Sequence, residues 1–164
     1  MQIKPQKWNT SEIKTELSSH GIQWNAYGER LFAHPSFPLQ ANEEAIHVVS
    51  RTLRQLGFLS GATRGAVEQC LPEHQLLPVP LQYVLSVAVH WPKDLPTPIT
   101  TKGEHPPGAQ LIFSPHLEEE DDFPKGFYLI NRPDGYWIRA YIAPLDYVFP
   151  PEAEFLFINE AKAC

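Results

Sequence analysis

The sequence predicts an α+β fold in which an N-terminal helical half packs on a mainly antiparallel sheet of about four strands from the C-terminal half. Two observations carry this prediction. The apolar period changes from helical spacing to alternation near residue 80, and residues 127–142 have the composition of a β-hairpin. We expect a single domain over residues 1–164, mostly helical in 1–72 and made mostly of strands and proline-rich loops in 80–160.

The composition is that of a globular protein with an excess of proline. Hydrophobic residues make up 43% and charged residues 20% of the chain, which argues against extensive disorder. Because proline lacks an N–H and fixes φ, the 17 prolines force much of the chain into extended segments and turns. Two cysteines are too few for a disulfide framework, and no apolar run has the length of a signal peptide or membrane anchor. We therefore expect a cytoplasmic protein that does not associate with membranes.

The first half contains two segments with strong helical signals. Residues 11–20, SEIKTELSSH, predict a short helix capped by Thr10 or Ser11. Residues 43–56 predict a longer helix, because their apolar side chains recur at helical spacing. These side chains are Ala45, Ile46, Val49, Leu53 and Leu56.

Two further elements are expected before residue 73. A small hairpin around Tyr27 and Gly28 would connect the first two helices. A third helix is expected after Gly57, and it must end near Pro72 because the residue before a proline disfavours the helical conformation. The second and third helices have the outline of a DNA-reading helix-turn-helix. Since the would-be recognition helix offers Arg64 and little else that is basic, two packed helices are the preferred interpretation.

The second half has the alternation and the turn residues of a sheet. Aromatic and β-branched residues flank Pro133-Asp134-Gly135, which predicts a type I turn followed by a glycine bulge. The segments expected to form the sheet are residues 81–91, 109–113, 127–131, 136–142 and 154–158.

The bulged turn assigns the hairpin side chains to two faces. The expected core face carries Tyr128, Ile130, Tyr136, Ile138 and Ala140, and the other face carries Phe127, Leu129, Asn131, Trp137, Arg139 and Tyr141. The sequence Trp137-x-Arg139-x-Tyr141 has the composition of interface hot spots. The alternative is that this face lies beneath the helices, with Arg139 either paired with a carboxylate or extending outward to solvent. A shift of one residue in the hairpin register would exchange the faces.

Charge is distributed unevenly along the chain. Residues 1–72 carry seven Lys and Arg and six Asp and Glu, whereas residues 73–164 carry six and 13, so the two parts have net charges of +1 and −7. Such a chain lacks the cluster of basic residues with which proteins bind the phosphate backbone of nucleic acids. Nucleic-acid binding through Arg51, Arg54 and Arg64 is therefore retained only as a second alternative.

The most acidic segment is the run Glu118, Glu119, Glu120, Asp121 and Asp122. Consecutive carboxylates converge on a cation only if the backbone folds back on itself, and this run lacks the alternation and the glycine of a calcium loop. Five like charges in a row are typical of a solvated segment. We assign the run to partner binding rather than to a metal.

Two histidines near the run give the enzymatic alternative. His105 and His116 flank the strand at 109–113, and together with the nearby carboxylates they are candidate ligands for a metal-dependent hydrolase. Their separation does not match a familiar zinc spacing. Motifs for nucleotide binding and for a serine nucleophile are absent from the sequence. No metal, cofactor or catalytic residue is therefore assigned.

The function predicted from the sequence is that of a small acidic accessory or regulatory protein, resembling inhibitors in composition, which binds another protein. We expect Trp137, Arg139 and Tyr141 to supply contact area, and the carboxylates of residues 118–122 to attract a basic partner over longer distances. The identity of the partner and the oligomeric state are left open.

Overall fold

The computed structural model describes residues 1–9, 11–39, 44–96 and 107–162. An eight-stranded mixed sheet forms its centre, with four α-helices and a small two-stranded sheet around it. The strands are β1 (Gln2–Ile3), β2 (Ile22–Trp24), β3 (Ile46–Thr52), β4 (Ala62–Thr63), β5 (Leu76–Leu77), β6 (Gln110–Ile112), β7 (Gly126–Arg132), β8 (Gly135–Tyr141), β9 (Val148–Phe149) and β10 (Glu154–Asn159). The α-helices are α1 (Ile13–Ser19), α2 (Ala26–Phe32), α3 (Arg64–Cys70) and α4 (Val84–His90). Short 3₁₀ helices span Arg54–Leu56, Pro72–His74, Leu81–Tyr83 and Glu160–Lys162.

Strands from both halves of the chain enter the main sheet. Its order is β1-β3-β10-β6-β7-β8-β2, with β5 also paired to β10, while β4 and β9 form the small sheet. β10 runs parallel to β6 and β2 runs parallel to β8, whereas the other pairs are antiparallel. The α+β class is correct in broad terms. The predicted helical half on a sheet of about four mainly antiparallel strands is wrong, because three strands of the first half extend the sheet at both ends.

The longest predicted helix, at residues 43–56, is wrong. Its described part forms β3, which lies between β1 and β10, and then the 3₁₀ turn Arg54–Leu56. β-branched residues at positions 46, 48, 49 and 52 suit a strand, because their side chains pack well on a pleated surface. Ile46, Val49 and Leu53 have helical spacing in the sequence. In the structure, Ile46 and Val49 pack on opposite faces of the strand, and Leu53 packs in the turn that follows it.

The predicted strand at residues 81–91 is also wrong, since this segment forms the 3₁₀ turn Leu81–Tyr83 and α4. Every residue of α4 except His90 is buried. Ser86 is 0% exposed, and its hydroxyl accepts a hydrogen bond from the Gln6 N–H at 3.0 Å. A helix enclosed on all sides needs no polar face, so its sequence shows no helical period.

The elements around α1 and α2 are partly as expected. α1 confirms the helix predicted in residues 11–20, but it begins after Glu12 without a side-chain cap, and Thr10 lies outside the described residues. The hairpin expected around Tyr27 and Gly28 is wrong, because these residues belong to α2. Asn25 caps this helix by accepting a hydrogen bond from the Gly28 N–H at 3.0 Å.

The third predicted helix is confirmed as α3, which ends before Pro72. The helix-turn-helix alternative is excluded because the segment that would supply its first helix is strand β3. Arg64 stands at the first position of α3, after the cap Thr63. The arginines of the proposed nucleic-acid site therefore lie on a strand, on a 3₁₀ turn and on a short helix.

The C-terminal strands are confirmed, whereas the faces assigned to the hairpin are wrong. β7 and β8 pair with Arg132 opposite Gly135, so Tyr128 faces Arg139 and Leu129 faces Ile138. This pairing contains no extra residue from a bulge, and the side chains of β7 therefore exchange faces relative to the prediction. Glycine is needed at position 135, because φ is +124° and a Cβ there would lie 2.8 Å from the Gln23 side-chain nitrogen.

The main sheet separates two apolar clusters. The helix-covered face packs against α1, α2 and α4, and it carries Ile22, Ile46, Val48, Ile112, Phe127, Leu129, Ile138 and Leu156. The opposite face, called the arginine face, carries Arg51, Leu111, Tyr128, Ile130, Arg132, Trp137, Arg139, Tyr141, Phe155 and Phe157. One part of the arginine face is covered by α3, the small sheet and the residues that join them.

None of the helices in the described residues combines the length and the apolar character that crossing a membrane would require.

Candidate partner-binding surface

Strand β8 places Trp137, Arg139 and Tyr141 on one face, as its alternation predicts. Their neighbours Tyr136, Ile138 and Ala140 are buried on the helix-covered face. The three residues of the predicted site are each half-buried. The two sets belong to opposite faces of the same strand.

Trp137 lies between two arginines, and we call Arg132, Trp137 and Arg139 the Arg–Trp–Arg stack. The guanidinium carbons of Arg139 and Arg132 are 5.3 and 5.8 Å from the centre of the indole ring. These distances are within the range of cation–π attraction. The Trp137 indole N–H also donates a hydrogen bond to the Asp134 carboxylate at 3.0 Å, which fixes the orientation of the ring.

The two arginines of the stack differ in their counter-charges. The Arg132 Nε lies 3.6 Å from the Asp134 carboxylate. Arg139 forms no ion pair within the described residues, and its Nε is buried without an acceptor. The stack therefore presents one uncompensated cation beside a large aromatic ring, and the alternative in which Arg139 pairs with a carboxylate finds no support in the described part of the chain.

Tyr141 follows the stack along β8, but its ring belongs to an aromatic cluster. Its ring centre lies 6.3 Å from that of Tyr128 and 6.2 Å from that of Phe149. Burial raises the pKa of the Tyr141 hydroxyl above its usual value, and the nearby Arg64 guanidinium partly opposes this rise. Tyr141 therefore has a more enclosed environment than Trp137 and Arg139.

A groove at the edge of the sheet adjoins the stack and was missed by the sequence-based prediction. We call it the edge groove. It has a volume of about 580 Å³, within the size range of ligand clefts. Trp24 forms part of its wall and donates its indole N–H to Glu29 at 3.0 Å, while Gln23 donates to the Asp134 carbonyl at 2.6 Å. The groove is lined by Ser18, Gly21, Ile22, Gln23, Trp24 and Trp137.

The acidic run, residues 118–122, is held by its main chain. The buried Lys125 ammonium donates hydrogen bonds to the carbonyls of Glu118, at 3.0 Å, and Glu120. Arg30 donates to the Asp122 carbonyl at 3.0 Å. The cations around the run therefore bind its backbone oxygens, and most of its carboxylates stay free to meet solvent.

Glu118 is the member of the run whose carboxylate is held by a close contact. Its Oε1 lies 2.7 Å from the His34 Nε2. The Ser36 N–H donates to the His34 Nδ1 at 3.1 Å, so this nitrogen is an acceptor and the ring proton is assigned to Nε2. His34 thus donates to Glu118 as a neutral ring and ties the run to the end of α2.

The remaining carboxylates do not converge. Glu119, Glu120, Asp121 and Asp122 are exposed, and the His116 Nε2 lies 3.5 Å from Glu119. Within the described residues, no group of three or more His, Cys, Asp and Glu side chains has the geometry of a metal site. His105, the other histidine of the metal hypothesis, lies outside the described residues.

The acidic run lies before the start of β7, whereas the stack extends along the strand from Arg139, which pairs with Tyr128, to Arg132 at its end. The run precedes Gly126, at the start of the strand, whereas Arg132 ends it. Seven residues of extended chain span about 20 Å. The structure therefore divides the predicted partner-binding residues between two surfaces, with Tyr141 in the covered region.

A scan against protein-family models, a search of curated proteins and a search of solved structures each found no match for this chain.

Proposed function

We propose that the protein is an accessory or regulatory protein that binds another protein through the Arg–Trp–Arg stack and the edge groove. The observation that carries this proposal is the half-buried indole of Trp137 between two guanidinium groups, of which that of Arg139 has no carboxylate partner within the described residues. Tryptophan and arginine are the residue types most enriched in interface hot spots.

The chemistry of the stack defines the segment of the partner that it would contact. Arg139 is half-buried and forms no ion pair within the described residues, so a carboxylate from the partner that reached its guanidinium would gain a charge-assisted hydrogen bond. The edge groove continues from Trp137 to Trp24 and would hold an apolar or aromatic side chain next to that carboxylate. We therefore propose a partner segment that combines acidic and apolar residues.

The acidic run would act in a different step of binding. Its exposed carboxylates precede the start of β7, at the opposite end of the strand from Arg132, where they would attract a basic region of the same partner. Exposed charges of this kind increase the association rate more than the affinity. A cytoplasmic location is part of this proposal and follows only from the sequence.

The test is affinity capture from the native host with the full chain and three variants. Trp137→Ala and Arg139→Glu should lose the protein that the unaltered chain captures, because they remove the indole and reverse the free charge. Lys7→Glu is the control, since Lys7 is exposed and the substitution changes the net charge equally. Capture of the same protein by all four chains would refute the proposal, as would loss of the native fold in both stack variants.

The proposed role of the run can be tested once a partner is captured. Asp121→Asn with Asp122→Asn should lower the association rate and weaken its dependence on salt, with a smaller effect on dissociation. An unchanged association rate at low salt would remove the run from the binding surface and leave the stack as the proposed site.

A further inference from the structure

A small cavity lies behind Tyr141, away from the stack and the edge groove. Its volume is about 10 Å³, enough for one water-sized group. Three of its lining side chains are polar, and all three are hydrogen-bond donors at neutral pH. The lining residues are Arg64, Lys125, Tyr141, Ala143, Pro144, Leu145 and Phe149.

Lys125 brings a positive charge into the interior at this cavity. The residue is 3% exposed. Two of its ammonium protons are directed to the main-chain carbonyls of Glu118 and Glu120, which leaves a third proton. Lys125 forms no ion pair with a carboxylate in the described residues, because the acidic run contacts it only through backbone oxygens.

Arg64 brings the second charge. Its guanidinium carbon lies 4.4 Å from the centre of the Phe113 ring, and its Nη2 donates to the Ser114 carbonyl. Its Nε is buried without an acceptor, and Arg64 forms no ion pair in the described part of the chain. Arg64 is therefore another cation whose contacts are with neutral groups, the Ser114 carbonyl, the Phe113 ring and the Tyr141 hydroxyl, while its Nε is left without an acceptor.

Two cations held close together without a counter-ion are unfavourable in a protein interior. A buried charge is costly unless it is both paired and hydrogen-bonded. A group bound between Arg64 and Lys125 would accept hydrogen bonds, because both cationic side chains offer only N–H donors, while the protonated Tyr141 hydroxyl can donate as well as accept. Burial raises the pKa of Tyr141, which keeps its hydroxyl in the donor form at neutral pH.

We propose that this cavity is a binding site for a single anionic acceptor atom, either a chloride ion or one oxygen of a carboxylate. Arg64 and Lys125 supply the charge, and the Tyr141 hydroxyl completes the set of donors. The site does not depend on the proposed partner-binding function, since it uses none of the residues of the stack or the edge groove.

Chloride binding can be measured directly by the broadening of the ³⁵Cl NMR line on addition of the full-length protein. The unaltered chain should broaden the line in excess of its effect on viscosity. Arg64→Gln and Tyr141→Phe should each reduce this excess, because loss of one charge-assisted donor weakens binding by about tenfold. Arg54→Gln is the control, since Arg54 is an exposed arginine that is paired with Glu152 at 2.6 Å.

A second measurement distinguishes the two occupants. If the cavity takes a carboxylate oxygen, sodium acetate should raise the midpoint of thermal unfolding of the unaltered chain relative to sodium chloride at equal ionic strength, and Arg64→Gln should abolish the difference. If it takes chloride, the ³⁵Cl broadening should persist in acetate.

Cooperative thermal unfolding identifies the variants that have kept the native fold, and Tyr141→Phe decides the question if Arg64→Gln does not fold. The proposal is overturned if the folded variants match the unaltered chain both in the broadening of the chloride line and in the stabilisation by acetate. It is also overturned if the unaltered chain shows neither chloride broadening nor stabilisation by acetate.

Discussion

The two faces of the main sheet differ although they share the same strands. On the helix-covered face, Phe127, Leu129 and Ile138 are each 0% exposed beneath three helices. On the arginine face of the same hairpin, Trp137 and Arg139 are half-buried on either side of Ile138. A single strand thus contributes a continuous core on one side and a cationic aromatic surface on the other.

The difference between the faces follows from what covers them. Where helices pack on the sheet, most side chains are apolar, and the buried Gln110 is hydrogen-bonded to Trp91 and Glu154, since an unpaired polar group is costly there. On the arginine face, the small sheet and α3 cover the region of Phe155 and Phe157. Arginines and tryptophan, which combine apolar surface with a polar end, occupy the exposed part of the hairpin. We therefore expect substitutions on the helix-covered face to affect folding and those at the stack to affect binding.

The largest effect is expected for Phe127→Ala. The Phe127 ring stacks on Phe32 at 5.4 Å and meets Phe37 edge-on at 6.2 Å. Removing a buried phenylalanine costs about 3–5 kcal/mol of unfolding free energy. Urea denaturation measures this loss. A loss below about 1 kcal/mol would show that the helix-covered face tolerates a cavity and is not the main core.

The next effect concerns the buried cation beside the acidic run. Lys125→Met leaves the carbonyls of Glu118 and Glu120 without their donor and should lower the unfolding free energy by about 1–3 kcal/mol. Amide protons of residues 118–122 should also exchange faster. Lys93→Met is the control, because Lys93 is exposed and likewise donates to a main-chain carbonyl, that of His20 at 2.8 Å. If Lys125→Met and Lys93→Met lower the unfolding free energy equally, burial of the Lys125 ammonium has no special role in stability.

Tyr136→Phe is expected to act in the opposite direction. The Tyr136 hydroxyl is buried on the helix-covered face without a hydrogen-bond partner in the described residues, so its removal should stabilise the protein by up to about 1 kcal/mol. Burial raises the pKa of this hydroxyl. A tyrosine with a raised pKa contributes stability that is present below the unfolded-state value, about 10, and is lost as pH rises above it.

The unfolding free energy measured between about pH 8 and 11 tests this prediction. Tyr136→Phe should reduce the alkaline loss of stability. Part of the loss should remain, because burial also raises the pKa of Tyr83 and Tyr141. Tyr27→Phe, which removes an exposed hydroxyl, is the control. If Tyr136→Phe destabilises the protein at neutral pH, the Tyr136 hydroxyl forms a hydrogen bond that stabilises the fold, and the prediction is wrong.

The smallest effect on stability is expected for Arg139→Gln. Its guanidinium contacts the Trp137 ring but forms no ion pair in the residues described here, so the change in unfolding free energy should stay below about 1 kcal/mol. Binding of the captured partner should nevertheless be lost. If Arg139→Gln unfolds, Arg139 is required for folding as Phe127 is. The expectation that the arginine face serves binding and the helix-covered face serves folding would then be wrong.

Local signals predicted the elements whose partners are close in sequence. Pro133-Asp134-Gly135 between two alternating runs was sufficient for the β7–β8 hairpin, and the break at Pro72 was sufficient for the end of α3. The alternation in β8 also placed Trp137 and Arg139 on one face correctly. These features depend on turn chemistry and on the strand period, which a short stretch of sequence contains.

Elements that depend on distant partners were not predictable in this way. β3 is a strand because β1 and β10 pair with it on both sides, and its own pattern also fits a helix. α4 shows no helical period because six of its seven residues are buried and it needs no polar face. The edge groove was missed for a related reason, since Gln23 meets Asp134 across 111 residues of chain. Periodicity alone does not identify such contacts.

The position of β10 between β3 and β6 has a consequence for the order of folding. Ser50 and Glu154, which hydrogen-bond across β3 and β10, are separated by 104 residues. β10 is the last of the three strands to be synthesised, so the edges of β3 and β6 that pair with it stay unpaired until then. Long-range pairing of this kind is slow and exposes the chain to aggregation. A chain stopped before residue 154 would keep the β7–β8 hairpin but would lack the strand that joins it to β3. The molecule should therefore depend on chaperones during synthesis more than its modest size suggests.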